Sequence, residues 1–179
     1  ERLKAPDMFN GWGIRTLSNM SPAYNPMGYH VGSVWPHDTS MIAAGLRCFD
    51  FIDQALELAQ GIFDMASQQP YCRPPELFCG FDRTPDSRPV RYPVACTPQA
   101  WATGAMFQLF QVMANLIPDA PNNRLRIVHP SLPESVQYLS LENLKIGQTM
   151  LDLEFEQSSG ATACRVVRKR GNLRVMIEA

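Results

Sequence analysis

The sequence predicts a mainly α-helical first part, residues 1–121, followed by a small antiparallel β subdomain over residues 122–179. Two observations carry this expectation. Apolar residues recur at helical spacing through three stretches before Pro118, and after Asn122 the pattern changes to the alternation typical of half-buried strands. A third observation concerns what separates the helices. Residues 11–38 and 70–97 are rich in proline and aromatic side chains, which is more decoration than a plain connection needs.

Each element follows from local chemistry. Pro22, Pro26 and Pro36 forbid a continuous helix in residues 11–38, which read as an ordered loop. Asp38 or Thr39 then caps a helix expected to begin at Ser40, with Met41, Ile42, Ala44, Leu46 and Phe49 on its apolar face. A second helix is expected over 51–68, where Ala55, Leu58, Ala59, Ile62 and Met65 recur, and Pro70 stops it. The third takes Thr97 as its cap and Pro98 in its first turn, runs through Trp101 and Leu109 to Ile117, and ends before Pro118 and Pro121. Strands are expected at 125–128, 151–156, 164–168 and 173–177, with a shorter one within 140–146; Ser159-Gly160 and Gly171-Asn172 are turn signals. Three helices with long loops between them make a poor free-standing core, so the chain is expected to be the C-terminal part of a longer protein.

Composition narrows the function. Hydrophobic residues at 45% and charged residues at 18% exclude a disordered chain. Sixteen basic against seventeen acidic residues leave a formal charge of -1, so no nucleic-acid partner is expected. No run approaches the roughly 20 apolar residues needed to cross a bilayer. The opening Glu1-Arg2-Leu3-Lys4 lacks the apolar stretch of a signal peptide, and a cytoplasmic setting without membrane contact follows. Cys48, Cys72, Cys79, Cys96 and Cys164 form an odd, irregularly spaced set, which suits reduced thiols. The nearest approach to a metal pattern is Cys72, Cys79 and Cys96 with His37, but no CxxC pair anchors it, so neither metal nor cofactor is expected.

Three segments carry the candidate chemistry. Tyr24 to Asp38 places Tyr29, His30, Trp35, His37 and Asp38 in one stretch stiffened by proline. That mix suits a sugar, whose apolar face stacks on aromatic rings while acids, amides and imidazoles meet its hydroxyls. A packed loop with Trp35 in the core and Asp38 capping a helix accounts for the same residues. Glu76 lies in Arg73-Pro74-Pro75-Glu76-Leu77-Phe78, either as a surface carboxylate paired with Arg73 or Arg83 or as a pocketed base that activates water. Tyr92 to Trp101 leads into the third helix, where Gln99 and Trp101 can reach a ligand or belong to the core.

Taken together, YNPMGYHVGSVWPHD, PPELFCGFDR and YPVACTPQAWATGA, in this order, resemble the C-terminal half of the catalytic domain of bacterial amylo-alpha-1,6-glucosidase-like proteins, the glycogen debranching type. The likeness runs from APDMFNGWGIRTL to RVVRKRGNLRV. It implies part of an (α/α)6 toroid, the six-hairpin glycosidase fold, and an inverting glycoside hydrolase acting on α-glucosidic bonds. Glu76 would be the general base, with Tyr29, Trp35, His37, Asp38, Arg83, Gln99 and Trp101 around an oligosaccharide or small glucoside. Inverting enzymes hold their acid roughly 6.5–9.5 Å from the base. The resemblance places that acid upstream of Glu1, in the remainder of a parent catalytic domain, so little or no hydrolysis is expected of this chain alone. The alternative is a non-catalytic carbohydrate-binding or assembly module.

Overall fold

The structure, a computed structural model, describes residues 2–158 and 160–178. They fall into two compact units, Glu1–Leu109 and Phe110–Ala179, where the sequence pattern changes at 121/122.

The fold is not the mainly α toroid that the resemblance implies. Helix and strand take similar shares, 30% and 28%. Among the described residues there are three α-helices, α1 (Pro36–Cys48), α2 (Ile52–Ser67) and α3 (Ala100–Ala114), with six strands in two small sheets. The physical reason lies in what covers the helices. A toroid repeats helical hairpins around a ring, whereas here α1 and α2 form one hairpin and irregular chain contributes much of the remaining core of the first unit. Trp12, Ile14, Val34, Leu77, Phe78 and Cys79 all lie outside the helices and are all buried.

α2 follows its sequence pattern closely: Ala55, Leu58, Ala59, Ile62, Met65 and Ala66 form the buried stripe. Gly61 belongs to the same stripe because the loop crosses it; a methyl group there would stand 2.4 Å from the Trp12 carbonyl oxygen. α1 begins four residues earlier than its expected start at Ser40. Trp35 is extended and Pro36 occupies the first helical position, where a missing N–H costs nothing. Asp38 therefore sits inside the first turn instead of capping it, and the Thr39 hydroxyl accepts from the Ile14 amide at 3.3 Å.

The two loops of the first unit are tied by short antiparallel pairings outside any regular strand: Arg15 with Val34, Val34 with Phe78, and Phe78 with Arg91. Arg15 locks this ladder from behind. It is 2% exposed and donates to the Gly80 carbonyl at 2.9 Å, the Pro6 carbonyl at 3.0 Å and Asp82 Oδ1 at 2.5 Å. Arg15→Met keeps most of the volume but takes the donor from the Pro6 carbonyl and from Asp82 and leaves the Gly80 carbonyl to the Tyr24 phenol alone, so it should lower stability by about 2–3 kcal/mol. A urea unfolding curve measures this; an unchanged midpoint would mean the ladder does not depend on the guanidinium.

In the second unit, β1 (Leu116–Asp119), β2 (Arg124–Val128) and β6 (Arg174–Glu178) make one sheet in the order β1-β2-β6. β1 takes residues expected to finish the third helix. α3 stops at Ala114, Asn115 has φ 44°, and Pro118 is tolerated because β1 lies at the sheet edge. β2 and β6 are parallel, so the expectation of a purely antiparallel sheet is corrected for this pair. β3 (Tyr138–Ile146), β4 (Thr149–Ser158) and β5 (Ala161–Arg170) form the antiparallel sheet. Thr149, Leu151, Leu153 and Phe155 are buried along one face of β4, while Asp152 and Glu154 on the other pair with Arg168 and Arg165 of β5. The turn expected at Ser159-Gly160 includes Ser159, which lies outside the described residues. Among the described residues no helix is long and apolar enough to cross a membrane.

Candidate functional site: an aromatic cluster at Glu76

The ladder brings two loops face to face. Val34 and Phe78 exchange backbone hydrogen bonds at 2.9 and 3.0 Å, which sets Trp35 and Glu76 close behind them on either strand. Glu76 is half-buried between buried neighbours, Pro75 on one side and Leu77 on the other. Its backbone N–H donates to the Cys96 carbonyl at 2.9 Å, and the Cys96 N–H reaches Glu76 Oε2 at 3.3 Å. Glu76 Oε1 accepts the Tyr29 phenol at 2.7 Å. The carboxylate is thus gripped by one backbone segment and one side chain.

That hydrogen bond, with desolvation and the Glu76 charge behind it, pushes the Tyr29 phenol up to about 12. The sign follows from linkage. The bond's contribution is fully present below the ordinary phenol value near 10 and is lost as pH rises through about 12.

Aromatic rings continue outward from Tyr29. It meets His30 at 4.4 Å and Trp35 at 4.9 Å edge-on, and Tyr92 at 5.7 Å at a tilt. Trp35 stacks on His30 at 5.4 Å and meets Trp101 edge-on at 6.2 Å. Trp101 in turn stacks on His37 at 4.7 Å, and His37 Nδ1 lies 3.2 Å from Asp38 Oδ1. One connected group therefore joins Glu76, Tyr29, Trp35, Trp101, His37 and Asp38.

The rings differ in what they offer a ligand. Trp35 is 5% exposed, and its indole N–H is shared between the Ser33 hydroxyl at 3.0 Å and the Tyr29 carbonyl at 3.2 Å. It is a strut. Trp101 is 47% exposed with His37 stacked against its ring. Gln99 lies two residues before Trp101, and its Oε1 is buried with no hydrogen-bond partner. Asp38 is exposed in the first turn of α1, where a carboxylate meets the positive end of the helix dipole.

Arg83 stands apart from this group in its recorded contacts. Its guanidinium covers the Trp12 ring at 4.3 Å and pairs with Asp64 at 2.7 Å. Arg73 lies over Tyr71 at 5.5 Å. The surface ion pair weighed for Glu76 is thus replaced by a phenol and an amide. The sequence gives no contact role to Tyr92, Ser33 or the Cys96 backbone, and it counts His30 only as one member of its stretch. His30 and Tyr92 stood in the quoted segments, but the Cys96 amide had no signal, since any residue but proline supplies one. Among the described residues no group of three or more His, Cys, Asp or Glu is placed to hold a metal ion.

No protein-family model matches the sequence, and no curated protein matches it either.

Proposed function

We propose that the Glu76 cluster binds an α-glucoside and that Glu76 serves as the general base of its hydrolysis with inversion. The observation that carries the reading is the Glu76 carboxylate itself, half-buried and held by two donors beside aromatic rings. A base that removes a proton from water must be held in a fixed orientation, and a phenol and an amide donating to its two oxygens supply that. Trp101 supplies the stacking face for a pyranose, with His37 and Asp38 beside it for hydroxyls. Gln99, two residues before Trp101, adds a side-chain amide at the start of the same helix.

Hydrolysis also requires an acid to protonate the leaving oxygen. In this reading the acid comes from a part of the protein outside these 179 residues, which then completes the site. The substrate is an oligosaccharide or a small glucoside. A cytoplasmic setting is part of the same proposal, supported by five cysteines carried as free thiols.

The test pairs binding with turnover. Titration with maltooligosaccharides should change tryptophan fluorescence saturably, and hydrolysis by this chain alone should be slight. Absence of binding at millimolar sugar would remove the reading. Rapid hydrolysis by this chain would instead show that its own residues, Asp38 first among them, supply the acid.

A further inference from the structure

Tyr29 belongs to the aromatic cluster, yet its surroundings differ from those of a sugar contact. Its hydroxyl proton is spent on Glu76 Oε1 at 2.7 Å. Three rings stand against its own ring, those of His30, Trp35 and Tyr92, which brace it while the residue keeps 37% of its surface exposed. Its main chain is fixed as well. The Tyr29 carbonyl accepts from the Ser33 hydroxyl at 2.6 Å and from the Trp35 indole at 3.2 Å. The loop that carries it is closed by Asn25 N–H donating to the Val31 carbonyl at 2.8 Å. Every part of the residue is held, and the one group that projects from this brace ends on the carboxylate.

We infer that Tyr29 is a positioning residue for Glu76: its braced phenol orients the carboxylate, and the sugar is left to Trp101, His37 and Asp38. The inference rests on the reading of Glu76 as the base. The geometry explains why a buried tryptophan lies in a loop so rich in ligand-type side chains. Trp35 acts through Tyr29, bracing its ring and its carbonyl, and through it on the carboxylate. It also separates two jobs within one cluster, with the Trp101 end meeting substrate and the Tyr29 end holding the base.

Three measurements test it on tyrosine-labelled protein and two variants. At pH 11 an ordinary phenol is largely ionised, and the carbon signal of Tyr29, assigned by its loss in Tyr29→Phe, should still be that of the neutral form. In Glu76→Gln the same signal should ionise with ordinary tyrosines. This variant keeps the test open should Tyr29→Phe fold poorly, and Tyr138, also raised by its bond to Glu154, should be unaffected by it. Maltooligosaccharide affinity in Tyr29→Phe should stay within about threefold of the unsubstituted protein, while kcat of the complete protein on an aryl α-glucoside falls about 10- to 100-fold, as for a lost bond to a charged group. Early ionisation of Tyr29 in the unsubstituted protein overturns the inference, and so does a loss in Tyr29→Phe that falls on affinity and spares kcat. If the complete protein hydrolyses no α-glucoside, the reading of Glu76 as a base fails. The phenol titration and the affinity then still decide whether Tyr29 holds the carboxylate or touches sugar.

Discussion

Glu76→Gln is expected to lower α-glucoside hydrolysis by the complete protein about 10²- to 10⁴-fold, the range of a lost general base, and to leave sugar affinity within about threefold. The amide has the size of the carboxylate and can keep both of its contacts. Its oxygen accepts from the Cys96 N–H, and its NH₂ donates to the Tyr29 oxygen, since a phenol serves as donor or acceptor. What disappears is the capacity to take a proton from water. Parallel measurements of initial rate and of tryptophan fluorescence titration read the two effects separately. Full activity would remove Glu76 from the mechanism, and loss of binding with little further loss of kcat would make it a substrate contact.

Gly80→Ala is expected to cost about 4 kcal/mol or more, a size reserved for a few mechanisms of which overpacking is one. A methyl group at Gly80 would stand 1.7 Å from the Gly32 carbonyl oxygen, which is backbone and has no rotamer to change. Neither partner can retreat cheaply. The Gly80 N–H donates to the Pro26 carbonyl at 2.8 Å, and its own carbonyl accepts from Arg15 at 2.9 Å and from the Tyr24 phenol at 3.0 Å. The loop beneath carries Tyr29, so displacement reaches the site. A thermal melt should fall by about 10 °C, and an unchanged melt would show that the two loops are not packed this closely in solution.

Legibility in the sequence tracked how local each cause was. The stripe of α2 could be read because its burial is a matter of spacing within one helix. The start of α1 could not, because Pro36 and Asp38 are both good first-turn residues and choosing between starts needs the partner that Thr39 found in Ile14. The parallel pairing of β2 with β6 depends on how the intervening sheet returns the chain, which alternation does not record. The toroid failed for a similar reason: a resemblance carried by loop motifs said nothing of the few helices that these residues form. At the site, the segments holding Glu76, Tyr29, Trp35, His37, Asp38 and Trp101 could be picked out from residue type. Their roles could not, because a strut and a stacking platform are both tryptophan until burial separates Trp35 from Trp101. Arg83 is named with the site by its place in the sequence, and the structure adds that its guanidinium covers Trp12 and pairs with Asp64.

The two-loop ladder also bears on the order in which the chain acquires its parts. Tyr29 and Glu76 are 47 positions apart, Arg15 and Gly80 are 65, and Asn10 and Phe81 are 71, whereas the α1–α2 hairpin needs only its own short turn. Long-range pairings slow a folding reaction because ordering entropy is spent before they repay it. The hairpin lies between the two loops, and once formed it shortens the flexible span that must close. It thus acts as a splint on which the carboxylate and its phenol meet late, so that misplacing α2 would delay the site long before it weakened any contact within it.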